Sequence, residues 1–134
     1  TENLVRLYKS PAKSIKTFLL EKTAGTLIFT GASASLRGKS NFGAFNSAKG
    51  ALRNLAQALA KEYAENSIHV SHVIVDGGLA GERIKQRLSD FEERVKEGKL
   101  INIESVTDAY MFLYNQSKDA WTFELDVRTS QENW

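Results

Sequence analysis

Thr26-Leu27-Ile28-Phe29-Thr30, running into the small residues Gly31-Ala32-Ser33-Ala34-Ser35, is the stretch from which the fold is read. A short continuous apolar run set off by Gly25 and Gly31 is the pattern of a strand buried on both faces, as strands of a parallel sheet are. Downstream, Ala48, Ala51, Leu52, Leu55, Leu59 and Tyr63 recur in steps of three and four, with Arg53, Asn54, Gln57 and Lys61 on the other side. That spacing predicts one long amphipathic helix over residues 44–65, closed by Asn66. Ile68-His69-Val70-Ser71-His72-Val73-Ile74-Val75 follows as a second strand and ends at Asp76-Gly77-Gly78, where glycine frees the backbone for an unusual turn.

The flanks extend the same alternation. Residues 82–97 are charged, with a sparse apolar stripe of Ile84, Leu88, Phe91 and Val95, and read as a surface helix or a lid. Residues 104–116 put Val106, Ala109, Tyr110 and Leu113 on one helical face. Trp121 to Val127 alternates as a third strand, with Trp121 and Phe123 together on one side as core or interface residues. Upstream, Leu4, Leu7, Tyr8, Ile15, Phe18 and Leu19 keep helical spacing around Pro11, which lacks the N–H a helix interior needs, so a helix kinked or begun there is expected. Residues 31–43 are expected to be loop. Strands joined by crossovers this long run parallel, so the fold class is α/β, with helices on both faces of a parallel sheet. No repeat or long linker divides residues 1–134, so they are expected to belong to one domain.

Composition removes several classes of function. The 134 residues carry 18 basic and 16 acidic side chains, a net +2 with no basic stripe, which argues against nucleic-acid binding. Without cysteine there are no disulfides, thiolate metal sites or cysteine nucleophiles. His69 and His72, an odd number of positions apart on one strand, face opposite sides and cannot share a metal. No apolar run approaches the ~20 residues that cross a bilayer, and Thr1-Glu2-Asn3 opens nothing like a signal peptide, so a cytoplasmic protein without membrane contact is expected. Threonine at position 1 also suggests a piece of something longer or a processed chain.

Two motifs carry the chemistry. Thr30-Gly31-Ala32-Ser33-Ala34-Ser35-Leu36-Arg37-Gly38 begins like a dinucleotide-binding loop, but Ser35 and Arg37 stand where such a loop needs glycine, and the next helix begins too late to receive a pyrophosphate. Phe45-Asn46-Ser47-Ala48-Lys49 resembles the YxxxK active-site motif of the short-chain dehydrogenase/reductase family, with phenylalanine in place of tyrosine. From Gly25 to Gly78 the chain resembles the second half of that family's Rossmann-like domain, its fifth strand, long active-site helix and sixth strand, with a seventh strand expected near the end.

The resemblance implies an oxidoreductase that moves hydride between NAD or NADP and a small carbonyl or alcohol substrate. Lys49 matches the lysine that holds the nicotinamide ribose and lowers the tyrosine pKa. Phe45 replaces the tyrosine acid and Ala32, thirteen residues earlier, replaces the serine, leaving Ser33 or a water to give the proton. Ser33 and Ser35 otherwise read as loop-capping groups with no histidine nearby in sequence, and Phe42 and Phe45 as core aromatics. Thr30, Gly31 and Ala32 would border the cofactor with Lys49. Asp76, Gly77 and Gly78 would border the nicotinamide, Asp76-Gly77 standing for the family's Pro-Gly and Gly81 for a threonine. The family asparagine would fall near Leu4 or Asn3. The glycine-rich loop of the family's first half has no counterpart, so the chain reads as a piece whose first strand exposes an edge. Family members commonly pair through the segments matching residues 44–65 and 120–128, so a homodimer or homotetramer is expected. With the tyrosine and serine positions both changed, a non-catalytic binding or scaffolding relative is the competing reading, and a small independent α/β module a third.

Overall fold

Gly25–Ala32 forms strand β1, Gly43–Tyr63 helix α1, Ile68–Asp76 strand β2 and Glu124–Arg128 strand β3. The computed structural model describes residues 16, 17, 19–21 and 23–132, so the helix break expected at Pro11 lies outside the described residues. Lys16, Thr17 and Leu19 to Glu21 are helical. The sheet has the order β1-β2-β3 and both pairings are parallel, with Leu27 opposite Val70, Phe29 opposite His72 and His72 opposite Glu124. Among the described residues β1 pairs on one side only.

β2 is buried at eight of its nine positions, Val75 being half-buried, which is why its sequence shows no polar alternation. Leu27, Phe29, Ile68 and Val70 pack with Ala56 of α1, and Leu52, Leu59, Ala60, Tyr63 and Phe123 close the cluster. The helix therefore turns a different stripe to the sheet than its periodicity alone indicates. Ala56 and half-buried Arg53 face inward, whereas Ala48, Ala51 and Leu55 are exposed. Arg53 belongs to the inner face because its guanidinium reaches Glu124 of β3. α1 ends two residues earlier than expected and passes through a tight turn, Ala64–Asn66, to Ser67, which adopts a left-handed φ of 61° before β2 begins.

β1 runs to Ala32, into the segment expected to be loop, and a single tight helical turn, Ser33–Ser35, follows it. The charged region folds as two short helices, α2 (Glu82–Lys85) and α3 (Phe91–Lys96), rather than one, since each has apolar residues enough for about one turn of contact. α4 spans Ile103–Tyr114, and its first turn is capped by the Asn102 side chain, which accepts from the Ser105 N–H at 2.9 Å. Tyr110 of α4 is hydrogen-bonded to Thr30 at 2.6 Å, on the sheet face opposite α1, so the helices flank the sheet as three layers.

Trp121 and Phe123 lie on opposite faces of the sheet, not together: Trp121 stacks on His69 at 4.9 Å between ring centroids, whereas Phe123 joins the α1-side core. The His69 ring and the Ser71 hydroxyl are both engaged by the Thr122 carbonyl, at 3.0 Å and 2.7 Å. Trp121 and Thr122 are held by these partners, and the chain enters β3 at Glu124.

Candidate functional site

Two parallel strands end side by side where Ala32 pairs with Val75, and such carboxyl ends form the ligand crevice of open α/β sheets. The turn Ser33–Ser35, the first turns of α1 and the Asp76-Gly77-Gly78 segment all start from this edge. Asn46 ties the turn and the following loop to α1, its side-chain amide donating to the carbonyls of Arg37 (2.7 Å) and Ala34 (3.4 Å) while its oxygen accepts from the Lys39 N–H at 3.1 Å. The late start of α1 is thus built from side-chain bonds that fix the loop against the helix.

Lys49, one turn beyond Phe45, extends its Nζ to the Thr30 carbonyl at 2.9 Å and lies 5.9 Å from the centre of the Phe45 ring. The structure so brings together three of the sequence candidates, Thr30, Phe45 and Lys49. Phe45 and Phe42 are half exposed, 48% and 50%, and are not the core aromatics their spacing allowed. Ser33 opens the tight turn, and its carbonyl accepts from Leu36 and Arg37. Ala32 gives its N–H to the Ser35 hydroxyl at 3.2 Å.

Asp76 closes β2, almost fully buried, with its carboxylate 3.2 Å from Arg128 and 3.6 Å from Arg37. Burying a carboxylate is costly without such cationic partners. Arg128 is also bonded to Asp126 on its own strand. Gly77 has a φ of 143°, which side-chain-bearing residues rarely adopt, and Ile101 fills the space where its Cβ would stand. The Gly78 carbonyl accepts from the Ile101 N–H at 2.8 Å, so the segment before α4 folds back onto this turn.

Beneath β1 lies a group of side chains that sequence did not connect. His72 is completely buried, its Nδ1 3.0 Å from Glu124 and its Nε2 3.5 Å from the Ser35 hydroxyl. Glu124 takes two bonds from Arg53, at 2.6 and 3.0 Å. Arg53 holds the Glu124 carboxyl below the usual carboxylate range, outweighing its partial burial. Burial pushes the His72 imidazole below its ordinary value, against the pull of Glu124 and with a further push from Arg53 and Lys49. Gly31 is what lets His72 fit: a Cβ there would sit 2.0 Å from Nε2. The absence of a histidine near Ser35 in sequence is corrected by the fold, which brings one from β2. A hint existed in Arg53, four residues after Lys49 and hence on the same helical face.

A family model described as enoyl-(acyl carrier protein) reductase matches residues 7–124. A short-chain dehydrogenase from Rhodopseudomonas palustris is 37% identical, with a TM-score of 0.64 over 87% of this chain and 43% of its own. A 4-hydroxyisoleucine dehydrogenase complexed with NADH superposes with a TM-score of 0.72 at 15% identity, over 94% of this chain and 54% of that one. A serine dehydrogenase complexed with NADP+ gives 0.72 at 12% identity, over 92% and 51%. No curated protein matches. The chain spans about half the length of the solved structures it resembles.

Proposed function

Since the chain belongs to the short-chain dehydrogenase/reductase family, we propose that it forms the second half of a Rossmann-like domain that moves hydride between a nicotinamide cofactor and a small carbonyl or alcohol. Lys49 carries this reading: its ammonium stands at the carboxyl edge of the sheet, anchored on the Thr30 carbonyl at 2.9 Å. An ammonium has three donors, and one is spent on Thr30, so the others suit the vicinal hydroxyls of a ribose. A nicotinamide bound there would supply or accept the hydride.

The chain's own residues have separable tasks. Lys49 binds and orients through its ammonium. Thr30, Gly31 and Ala32 form the floor at the end of β1, and the Asp76-Gly77-Gly78 turn forms the opposite rim. Ser33, beside the family serine position now held by Ala32, is the hydroxyl that polarises the substrate oxygen. Phe45 excludes water and carries no proton. The segment that holds pyrophosphate and adenosine belongs, in this reading, to chain preceding Thr1.

Calorimetry with NADH and NADPH, on the protein expressed from its complete reading frame, tests this together with turnover on a panel of ketones, aldehydes and alcohols. Binding of one cofactor, weakened about tenfold or more by Lys49→Ala, is expected, since a hydrogen bond to a charged donor contributes roughly 1.5–3 kcal/mol. Absence of both binding and turnover refutes it. Phe45, half exposed where an acid would stand, favours a second reading of a scaffolding relative that keeps the fold without catalysis. Under it, Phe45→Tyr with Ala32→Ser creates reductase activity in a protein that had none.

Pairing through α1 fits the same reading, because Ala48, Ala51 and Leu55 leave an apolar stripe exposed along it. Among the described residues no helix is long and apolar enough to cross a membrane.

A further inference from the structure

Resting on the oxidoreductase reading, we propose that Ser35, backed by His72, Glu124 and Arg53, exchanges the substrate proton in the absence of the tyrosine. Four polar side chains from the turn, β2, β3 and α1 meet in one line: Ser35 Oγ to His72 Nε2 at 3.5 Å, His72 Nδ1 to Glu124 at 3.0 Å, and Glu124 to Arg53 at 2.6 and 3.0 Å.

The direction of each bond follows from what the groups can do. A carboxylate only accepts, so His72 Nδ1 carries the hydrogen and, in the neutral ring, Nε2 presents a lone pair to Ser35. Ser35 gives its single proton to Nε2 and accepts the Ala32 N–H at 3.2 Å. A hydroxyl has two acceptor sites, so one remains, suited to the O–H of an alcohol. The 3.5 Å separation is long, as such bonds are before substrate is present.

Packing alone calls for none of this. An aliphatic residue at position 72 would fill the space between α1 and the sheet without desolvating an imidazole, and it would not require glycine at position 31. The groups facing His72 are Glu124 from β3, Arg53 and Lys49 from α1 and Ser35 from the turn. Burial and the two cations keep the ring neutral, the state a base needs, while Glu124 is in place to stabilise the imidazolium that forms. The turn bearing Ser35 is tied through Ala34 and Asn46 to the helical turn that carries Phe45.

The step balances in the direction of alcohol oxidation. The substrate C–H bond breaks and its hydride reduces the oxidised nicotinamide. The substrate O–H proton passes to Ser35 Oγ as the serine's own proton moves to His72 Nε2. The products are a carbonyl, a reduced cofactor and an imidazolium paired with Glu124, and carbonyl reduction runs the same transfers backwards. Ser35 is the catalytic residue, with His72 its proton acceptor; Glu124 and Arg53 are positioning residues.

Ser35→Ala and His72→Gln, in the protein from its complete reading frame, test the relay. In Ser35→Ala, kcat for alcohol oxidation falls about 100-fold or more, the usual worth of general acid–base catalysis. The calorimetric cofactor Kd stays within about threefold, since Lys49 and the other groups placed at the cofactor are untouched. The acid limb of the wild-type kcat profile, set by His72, disappears in His72→Gln. Nitrogen NMR of the His72 ring gives a readout apart from activity: a neutral ring protonated at Nδ1 near pH 7, with the Nε2 resonance displaced in Ser35→Ala. Because Ser35 is not a core residue, its variant keeps the proposal falsifiable if His72→Gln does not fold. A wild-type rate in Ser35→Ala, or an Nε2-protonated ring, overturns the relay and leaves the oxidoreductase reading standing. A wild-type protein that turns over no substrate overturns both.

Discussion

Gly31→Ala is the substitution that most directly tests how the sheet and site are joined. A Cβ at position 31 would stand 2.0 Å from His72 Nε2, 2.6 Å from Cε1 and 3.0 Å from Cδ2. Ordinary contact is roughly 3.5–4 Å, so the ring would have to retreat by about 1.5 Å. His72 is wholly buried and bonded on both sides, at 3.0 Å to Glu124 and 3.5 Å to Ser35, so that displacement breaks at least one bond. Overpacking costs roughly 1–3 kcal/mol. Loss of a hydrogen bond to a charged group adds roughly 1.5–3 kcal/mol. The sum, about 2.5–6 kcal/mol, is a large part of the roughly 5–15 kcal/mol that holds a domain together. Urea unfolding of wild type, Gly31→Ala, His72→Ala and the double variant measures it. The double variant should be more stable than the sum of the two single losses, because removing the imidazole makes room for the new methyl. A Gly31→Ala loss below about 1 kcal/mol, or strictly additive losses, would refute the placement of His72 against β1.

Acid should weaken the fold in a window set by two depressed groups. His72 and Glu124 both titrate lower in the folded chain than unfolded, so the unfolded state binds more protons and stability falls with falling pH. The loss begins below the ordinary histidine value of 6.5 and continues through the carboxylate range; urea midpoints between pH 7.5 and 5.5 should decline in wild type and lie nearly flat in His72→Gln, and an unchanged slope counts against the assignment. Leu55, 46% exposed on the outer stripe of α1, should mark the oligomer contact: Leu55→Glu lowers the sedimenting mass without changing the helical circular dichroism, and an unchanged mass excludes that face. Phe45→Tyr should leave stability within about 0.5 kcal/mol, as exposed substitutions do. It should also raise carbonyl reduction by about 100-fold, the usual worth of a positioned acid beside Lys49; an unchanged rate shows that the Ser35 route suffices.

The fold was largely legible. Apolar runs at 26–30 and 68–75 and the spacing of 44–65 located the first two strands and the long helix, because burial on both faces and helical periodicity leave marks in neighbouring residues. Arg53 shows where that legibility stopped. Hydropathy places it on the solvent side, yet its partner Glu124 lies 71 positions away and turns it inward. Trp121 and Phe123 read as one strand face because alternation assumes a strand, whereas β3 begins only at Glu124 and Trp121 instead stacks on His69.

The candidate site divides in the same way. Phe45 to Lys49 could be recognised from a fixed spacing on one helix, and Asp76-Gly77-Gly78 from its turn chemistry. The chain Ser35, His72, Glu124 and Arg53 joins four segments that touch only when β1, β2 and β3 lie in register beneath α1. Sequence by itself located the first two strands and the long helix between them, their parallel sense and the residue type at each family position, all of which depend on local pattern. Tertiary structure alone decided which buried polar groups meet, because desolvation forces each of them to find a partner wherever the fold puts one.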